Sequence, residues 1–474
     1  MFTYGVNGVT GDYFFKSKPY FQSQSQRGTE DEPLPDISDL RLALESQRPH
    51  LGLASGIDSC DLSKTGWGVI FPENVRSEVR DALKPLLELR RAMAGGLFRD
   101  AIYRRGQNKG DFLAQYGVGL GPADPQRMLD WHPTHDVKGM PYYLLIVGAP
   151  DEVPFDFQYE LDVQYAVGRL HFDVIEHYAE YARTVVASVT ESARRPKTVS
   201  LFAPKNAGDE QTELSHDYLA NPLMQRVLGT FKNQWRVESF FGCEASQRNL
   251  RGLLGGSCTP ALLFTASHGL MFQDADNPKH RPHYGAIVCQ DWHGPKRKSI
   301  KLEECFSARD VPSNATLHGL ISFHFACCSA GIPSTFELDQ VSRRESYMTH
   351  RPFVAELPKR LLSHPSGGAL AFIGHVGEAA AFSFYDDRFG AQASAFESVI
   401  GHLMRGYPVG AAMEFMNQRH AELGVAYRER SREKHLRKRS MENELWKWRI
   451  AYMDARNYLV IGDPAVKLNV EHNS

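Results

Sequence analysis

From Pro141 onward, short apolar runs alternate with stretches of helical periodicity. The runs 142–148 (YYLLIVG), 199–203 (VSLFA), 237–241 (VESFF), 261–266 (ALLFTA), 317–326 (LHGLISFHFA) and 367–374 (GGALAFIG) read as strands, several of them apolar at every position. Between and after them, helices are predicted over 174–189, 216–229, 245–254, 390–404 and 408–422. Strands that are apolar on both faces and separated by helices imply a mainly parallel sheet covered on both sides. The pattern thus predicts an α/β fold, a three-layer sandwich with helices on both faces of a central sheet.

The chain before residue 136 is less regular. A helix is expected near Asn74–Leu89, where Val75, Val79, Ala82, Leu83 and Leu86 form one stripe, and Pro85 is expected to kink or split it. Residues 22–36 are polar and end in Pro33 and Pro35, as a linker or surface loop would. The expected division is an N-terminal accessory region over 1–135 and one larger α/β domain over 136–474.

Composition narrows the class. The 474 residues are 42% hydrophobic and 23% charged, which is ordinary for a globular protein. A formal charge of −2, from 54 basic and 56 acidic side chains, gives no global attraction to nucleic acid or anionic lipid. The charge-rich stretch 428–449 mixes both signs and reads as a solvated helix. Seven scattered cysteines do not form a disulfide framework. With no signal-like start and no long apolar span, a cytoplasmic protein is expected, with neither a nucleic-acid nor a membrane partner.

Two of the apolar strands end in chemically loaded turns. One runs into Ser267-His268-Gly269, the other into Cys327-Cys328-Ser329-Ala330-Gly331. Parallel α/β sheets place their sites at the carboxyl ends of strands. Amide hydrolysis by a thiol needs a nucleophile, a proton carrier for the leaving amine and donors for the oxyanion. Cys327 can supply the first and His268 the second. The N–H groups of Gly269 and Cys327 can supply the third. Taken singly, each residue has a plainer reading, as a buried small hydrophobe or a satisfied strand-end histidine. A zinc site drawn from Cys289, His293, His280 and His283 would lack the usual paired spacing, so neither metal nor cofactor is expected.

An apolar strand ending in His-Gly, followed about sixty residues later by one ending in Ala-Cys, resembles the shared core of caspases, gingipains, legumains, separases and CHAT-domain proteases. Three more segments resemble the bacterial members: 142–170 with its Val-Gly-Arg, 367–384 after the nucleophile, and 457–468 with its Gly-Asp-Pro. The resemblance covers about 141–470. It implies a cysteine endopeptidase with a His268–Cys327 dyad, and it places the nucleophile after Ala326, at Cys327 and not Cys328. It also implies that the acidic stretch 206–219 supplies the specificity pocket, with Asp217 and Asp209 as substrate-binding carboxylates and cleavage after Arg, then Lys. Gly374 and His375 are expected beside the substrate; Ala379, Ala380 and Ala381 stand where relatives often carry an aromatic pocket wall. The expected partners are a protein or peptide substrate and an activating protein. The loop Met271–Lys301 resembles a gating segment, and Lys296-Arg297-Lys298 would suit self-cleavage. The alternative is a caspase-fold scaffold or sensor module that does not cut.

Overall fold

Ten strands form one central sheet in the computed structural model, which describes residues 3–14, 52–53, 56–118, 137, 139–191, 194–274, 276–336, 351–386, 390–437 and 442–471. In chain order they are β1 (Trp67–Pro72), β2 (Phe98–Tyr103), β3 (Tyr143–Val147), β4 (Ala166–Leu170), β5 (Thr198–Ala203), β6 (Arg236–Phe241), β7 (Leu262–Ala266), β8 (Ile321–Phe325), β9 (Ala371–His375) and β10 (Tyr458–Gly462). Their order across the sheet is β2-β1-β3-β4-β10-β9-β8-β7-β5-β6. All neighbours run parallel except β9 and β10, which are antiparallel. The sheet is therefore two parallel halves meeting at one antiparallel seam. Strands β3, β4, β7, β8, β9 and β10 are buried at every residue, as strands covered on both faces must be.

The region before residue 136 is not separate from this sheet. β1 and β2 lie within it, and β1 pairs residue by residue with β3 from Trp67↔Tyr143 to Ile70↔Ile146. The expected boundary at 135 thus falls inside one continuous sheet. Helix α1 (Ser77–Ala94) joins β1 to β2 and buries Val79, Leu83 and Leu86 against the core. It runs through Pro85 as one helix and is not split there. Pro85 and Asp81, whose carbonyl the proline leaves without its helical partner, both lie on the exposed face. The linker expected over 22–36 lies outside the described residues.

Two sequence motifs explain the close packing of β4 and β10 beside the seam. Gly168 of β4 faces β10 so closely that a Cβ there would come within 2.1 Å of the Gly462 carbonyl oxygen. Past Gly462, the buried Asp463 accepts hydrogen bonds from Trp67 Nε1 at 3.0 Å and from Arg90 Nε at 2.7 Å. The Val-Gly-Arg and Gly-Asp-Pro segments are therefore packing devices that lock β4, β10 and α1 together. Arg169 is fully buried and donates to Gln158 Oε1 and to the carbonyls of Gly148 and Pro154, which fixes the loop after β3.

A small four-stranded sheet stands beyond the carboxyl ends of β7 and β8. It contains Gly5–Asn7, Gly269–Met271, Ile287–Val288 and Cys305–Phe306. Part of the expected gating loop 271–301 is thus strand. Within it, Arg297 is ion-paired with Glu304 at 2.5 Å.

Candidate active site

β7 and β8 pair in register from Leu262↔Ile321 to Ala266↔Phe325. The N–H of Ser267 continues the ladder to the Phe325 carbonyl at 3.0 Å. His268 and Cys327 each follow these aligned strand ends by two residues. Parallel pairing in this register therefore brings the two turns side by side. Gly269 lies against the Cys327 backbone, and a Cβ at that position would stand 1.8 Å from the Cys327 carbonyl oxygen. Only glycine fits, so the His-Gly pattern follows from the approach of the two turns.

After Cys327 the backbone reverses sharply. Cys328 takes φ +56°, in the left-handed region that costs a residue with a Cβ about 1 kcal/mol or more. Its N–H donates to the Gly377 carbonyl at 2.7 Å. Cys327 Sγ accepts from the Ala379 N–H at 3.1 Å. Both thiols are buried, and burial pushes both well up from the usual thiol range.

His268 is fully buried, with Nε2 2.8 Å from Asp209 Oδ2. Nδ1 has no hydrogen-bond partner among the described residues. Asp209 caps the short helix Glu210–Ser215 and accepts the Gln211 N–H. Tyr13 donates its hydroxyl to Asp209 Oδ1 at 2.7 Å, and Thr212 donates to Oδ2 at 2.7 Å. Burial acts to raise the Asp209 carboxyl. His268 beside it and these hydrogen bonds outweigh that effect and hold it below the ordinary carboxylate range. A carboxylate in this position fixes the tautomer and orientation of the ring and stabilises it when protonated.

Over these groups lies the segment Thr3–Phe14, folded back on itself. Its Asn7 N–H donates to the Asp12 carbonyl, and its Phe14 N–H to that of Gly5. Gly5–Asn7 pairs parallel to Gly269–Met271, and Thr3 bridges Ala380 in the antiparallel sense. The Tyr4 carbonyl oxygen accepts from Gly269 N at 2.8 Å and from Cys327 N at 3.1 Å, while Tyr4 N donates to the Ala379 carbonyl at 2.9 Å. An ideal Cβ on Gly5 would lie 3.4 Å from Cys327 Sγ. The fully buried Tyr4 ring meets Phe325 edge-on at 4.6 Å, and its hydroxyl donates to the Gln211 carbonyl at 2.8 Å.

The other expected site residues stand apart from this cluster or support it from behind. Asp217 is 46% exposed, and both its oxygens lie 2.9 Å from Lys205 Nζ. His216 Nδ1 is 2.6 Å from the same carboxylate. Asp217 sits in a π-helical turn, His216–Ala220, and is already neutralised there. Gly374 is packed within β9 against Ser329 and Ala330. His375 is buried, with Nε2 3.1 Å from Asp454 Oδ1. The same carboxylate accepts the Ala380 N–H at 2.8 Å and the Ser383 hydroxyl. His375 therefore anchors the loop whose Ala379 and Ala380 meet Thr3 and Tyr4. Ala379, Ala380 and Ala381 are buried beside this junction. Among the described residues no three His, Cys, Asp or Glu side chains form a metal-holding cluster.

Two features of the site escaped the sequence reading. Asp209, expected beside the substrate, is bonded to His268. Its capping position after a buried strand was the available signal. Nothing in the short Tyr4-Gly5-Val6 run marked it as a partner of the His-Gly turn, because that pairing spans most of the chain.

No protein-family model matches the chain, and no curated protein does. Among solved structures, one described as a protease is 11% identical with a TM-score of 0.52, over 86% of this chain and 80% of that one. The Arg-specific cysteine proteinase gingipain R is 11% identical with a TM-score of 0.46, over 85% and 78%. A complex of the pro- and mature domains of RgpB from Porphyromonas gingivalis is 12% identical with a TM-score of 0.45, over 85% and 80%. In fold, this chain is an α/β protein with a mostly parallel central sheet between helices, the fold it shares with the structure described as a protease.

Proposed function

We propose that the chain is a cysteine endopeptidase in which Cys327 attacks the peptide carbonyl and His268, held by Asp209, carries the proton. One observation carries this reading: a backbone carbonyl, that of Tyr4, receives the N–H groups of Gly269 and Cys327 together, with the Cys327 thiol alongside. Two convergent donors on one carbonyl oxygen are the arrangement that stabilises an oxyanion.

Cys327 gives its thiol proton to His268 Nδ1 as Sγ adds to the carbonyl carbon of the scissile bond. The negative charge moves to the oxygen, under the two N–H donors. His268, protonated, gives its proton to the leaving nitrogen as the C–N bond breaks, leaving a thioester on Cys327. Water then gives a proton to the neutral imidazole and its hydroxide to the acyl carbon. This releases the carboxylic acid product, and the departing sulfur takes its proton back from the imidazolium. The nitrogen of His268 not bonded to Asp209 is Nδ1, which is the atom available for this transfer.

Cleavage after arginine or lysine, expected from the acidic stretch, finds no support in Asp217, whose charge is met by Lys205. A non-cutting scaffold is favoured by one feature, the burial of the Cys327 thiol beneath residues 3–14. Hydrolysis of a fluorescein-labelled denatured protein by wild type, Cys327→Ala and His268→Ala separates the two readings. A peptidase loses turnover in both variants. Equal signals in all three chains, or none under any condition, favour the scaffold.

A further inference from the structure

The segment lying in the cleft makes the contacts a cleaved peptide would make. Its carbonyl at Tyr4 receives both oxyanion donors, its Tyr4 N–H reaches the Ala379 carbonyl, and its next residue lies against Cys327. Peptide recognition by strand addition uses this combination of main-chain bonds for affinity and side-chain pockets for selection. The Tyr4 ring fills the pocket beside the nucleophile. It is wholly buried, packs on Phe325, and ends on neutral groups, the Gln211 carbonyl and the Ser215 hydroxyl. The carboxylates near Tyr4 are Asp209 and Asp454. Asp209 is bonded to His268, Tyr13 and Thr212, and Asp454 to His375, Ala380 N and Ser383. Of the carboxylates that act on Tyr4 among the described residues, a guanidinium placed here would meet only Asp209 and Asp454, both already bonded, whereas a phenol is fully satisfied.

Resting on the endopeptidase reading, we infer that the site accepts peptides with tyrosine, or another aromatic residue, on the acyl side of the cleaved bond, and that residues 3–7 are a tethered occupant of this site. Other substrates enter only after that segment leaves. A small residue following the aromatic fits best, because a larger one displaces the Met271 side chain. A Cβ on Gly5 would approach Met271 Sδ to 2.6 Å. Tyr13, beyond the occupant in the same folded-back segment, adds a second hold through the Asp209 carboxylate behind His268.

The test compares two peptidyl chloromethyl ketones, one ending in tyrosine and one in arginine, on full-length wild type, Tyr4→Gly and Gly5→Val. The first variant empties the pocket. The second overpacks the segment against Met271 and serves if the first folds poorly. Alkylation is followed by intact mass and located by peptide mapping. Both variants should label at Cys327 about tenfold or more faster than wild type, because the competent fraction rises. In every chain the tyrosine probe should outpace the arginine probe about tenfold or more. Equal labelling of wild type and both variants overturns the tethered occupant. Faster labelling by the arginine probe overturns the aromatic pocket and leaves the endopeptidase reading standing. No labelling of Cys327 by either probe in any chain overturns the endopeptidase reading itself.

Discussion

The carboxylate of Asp209 lies 2.8 Å from Nε2 of His268, and both side chains are completely buried. A pair so placed acts through orientation and charge. Asp209→Asn keeps the shape but no longer fixes the tautomer. The expected result is a fall in kcat of about 10²–10⁴-fold with a much smaller change in KM. The variant should also differ in acid. The Asp209 carboxyl is held below its usual range in the folded chain, so its ionised form stabilises the fold at all pH values above about 4. That contribution disappears as pH falls through the lowered folded value. Urea midpoints measured from pH 7 down to 2 should show wild type losing its advantage over Asp209→Asn across the acid limb.

The two adjacent cysteines should separate cleanly. Cys327 N donates to the carbonyl in the cleft, whereas Cys328 turns away at φ +56° and donates to Gly377. Cys327→Ala should abolish hydrolysis. Cys328→Gly, which suits the left-handed backbone, should keep activity within about tenfold of wild type. Steady-state rates on one peptide substrate check both.

The close parallel contact of β4 with β10 predicts a pure stability effect. In Gly168→Ala the added methyl meets the Gly462 carbonyl. Overpacking of this kind costs about 1–3 kcal/mol. Urea denaturation should show a lower midpoint, with no change in kcat once the loss of folded protein is taken into account.

Arg90 and Asp463 form an ion pair at 2.7 Å that is buried on both sides. Arg90→Met leaves the Asp463 charge buried without its cation, which costs about 3–5 kcal/mol. Thermal unfolding should move down by several degrees. Asp463 also receives the Trp67 indole N–H, so tryptophan fluorescence reports the same transition.

Much of this architecture was legible in the chain. Apolar runs such as 261–266 and 317–326 can only be interior strands, and their loaded ends pointed to His268, Gly269 and Cys327 together. What the sequence could not convey was lateral order. Asp209 follows β5, and β5 lies beside β7, so a residue that capping rules place at a helix start meets a histidine 59 positions away. The same limit hid the docking of Tyr4 and the membership of β1 and β2 in the central sheet. The pairing of Asp217 was hidden for a different reason. Acidic spacing cannot reveal a neighbouring lysine, here Lys205, that arrives from the preceding loop.

The thioester on Cys327 is the species on which the whole account turns. It can be trapped by acid quench during turnover of a peptide ester and located by mass mapping with fragmentation, which separates Cys327 from Cys328. The account predicts an acyl mass on Cys327 in wild type and none in Cys327→Ala, which also forms no product. Product released at an undiminished rate by Cys327→Ala, or an acyl group found on another residue, would contradict it.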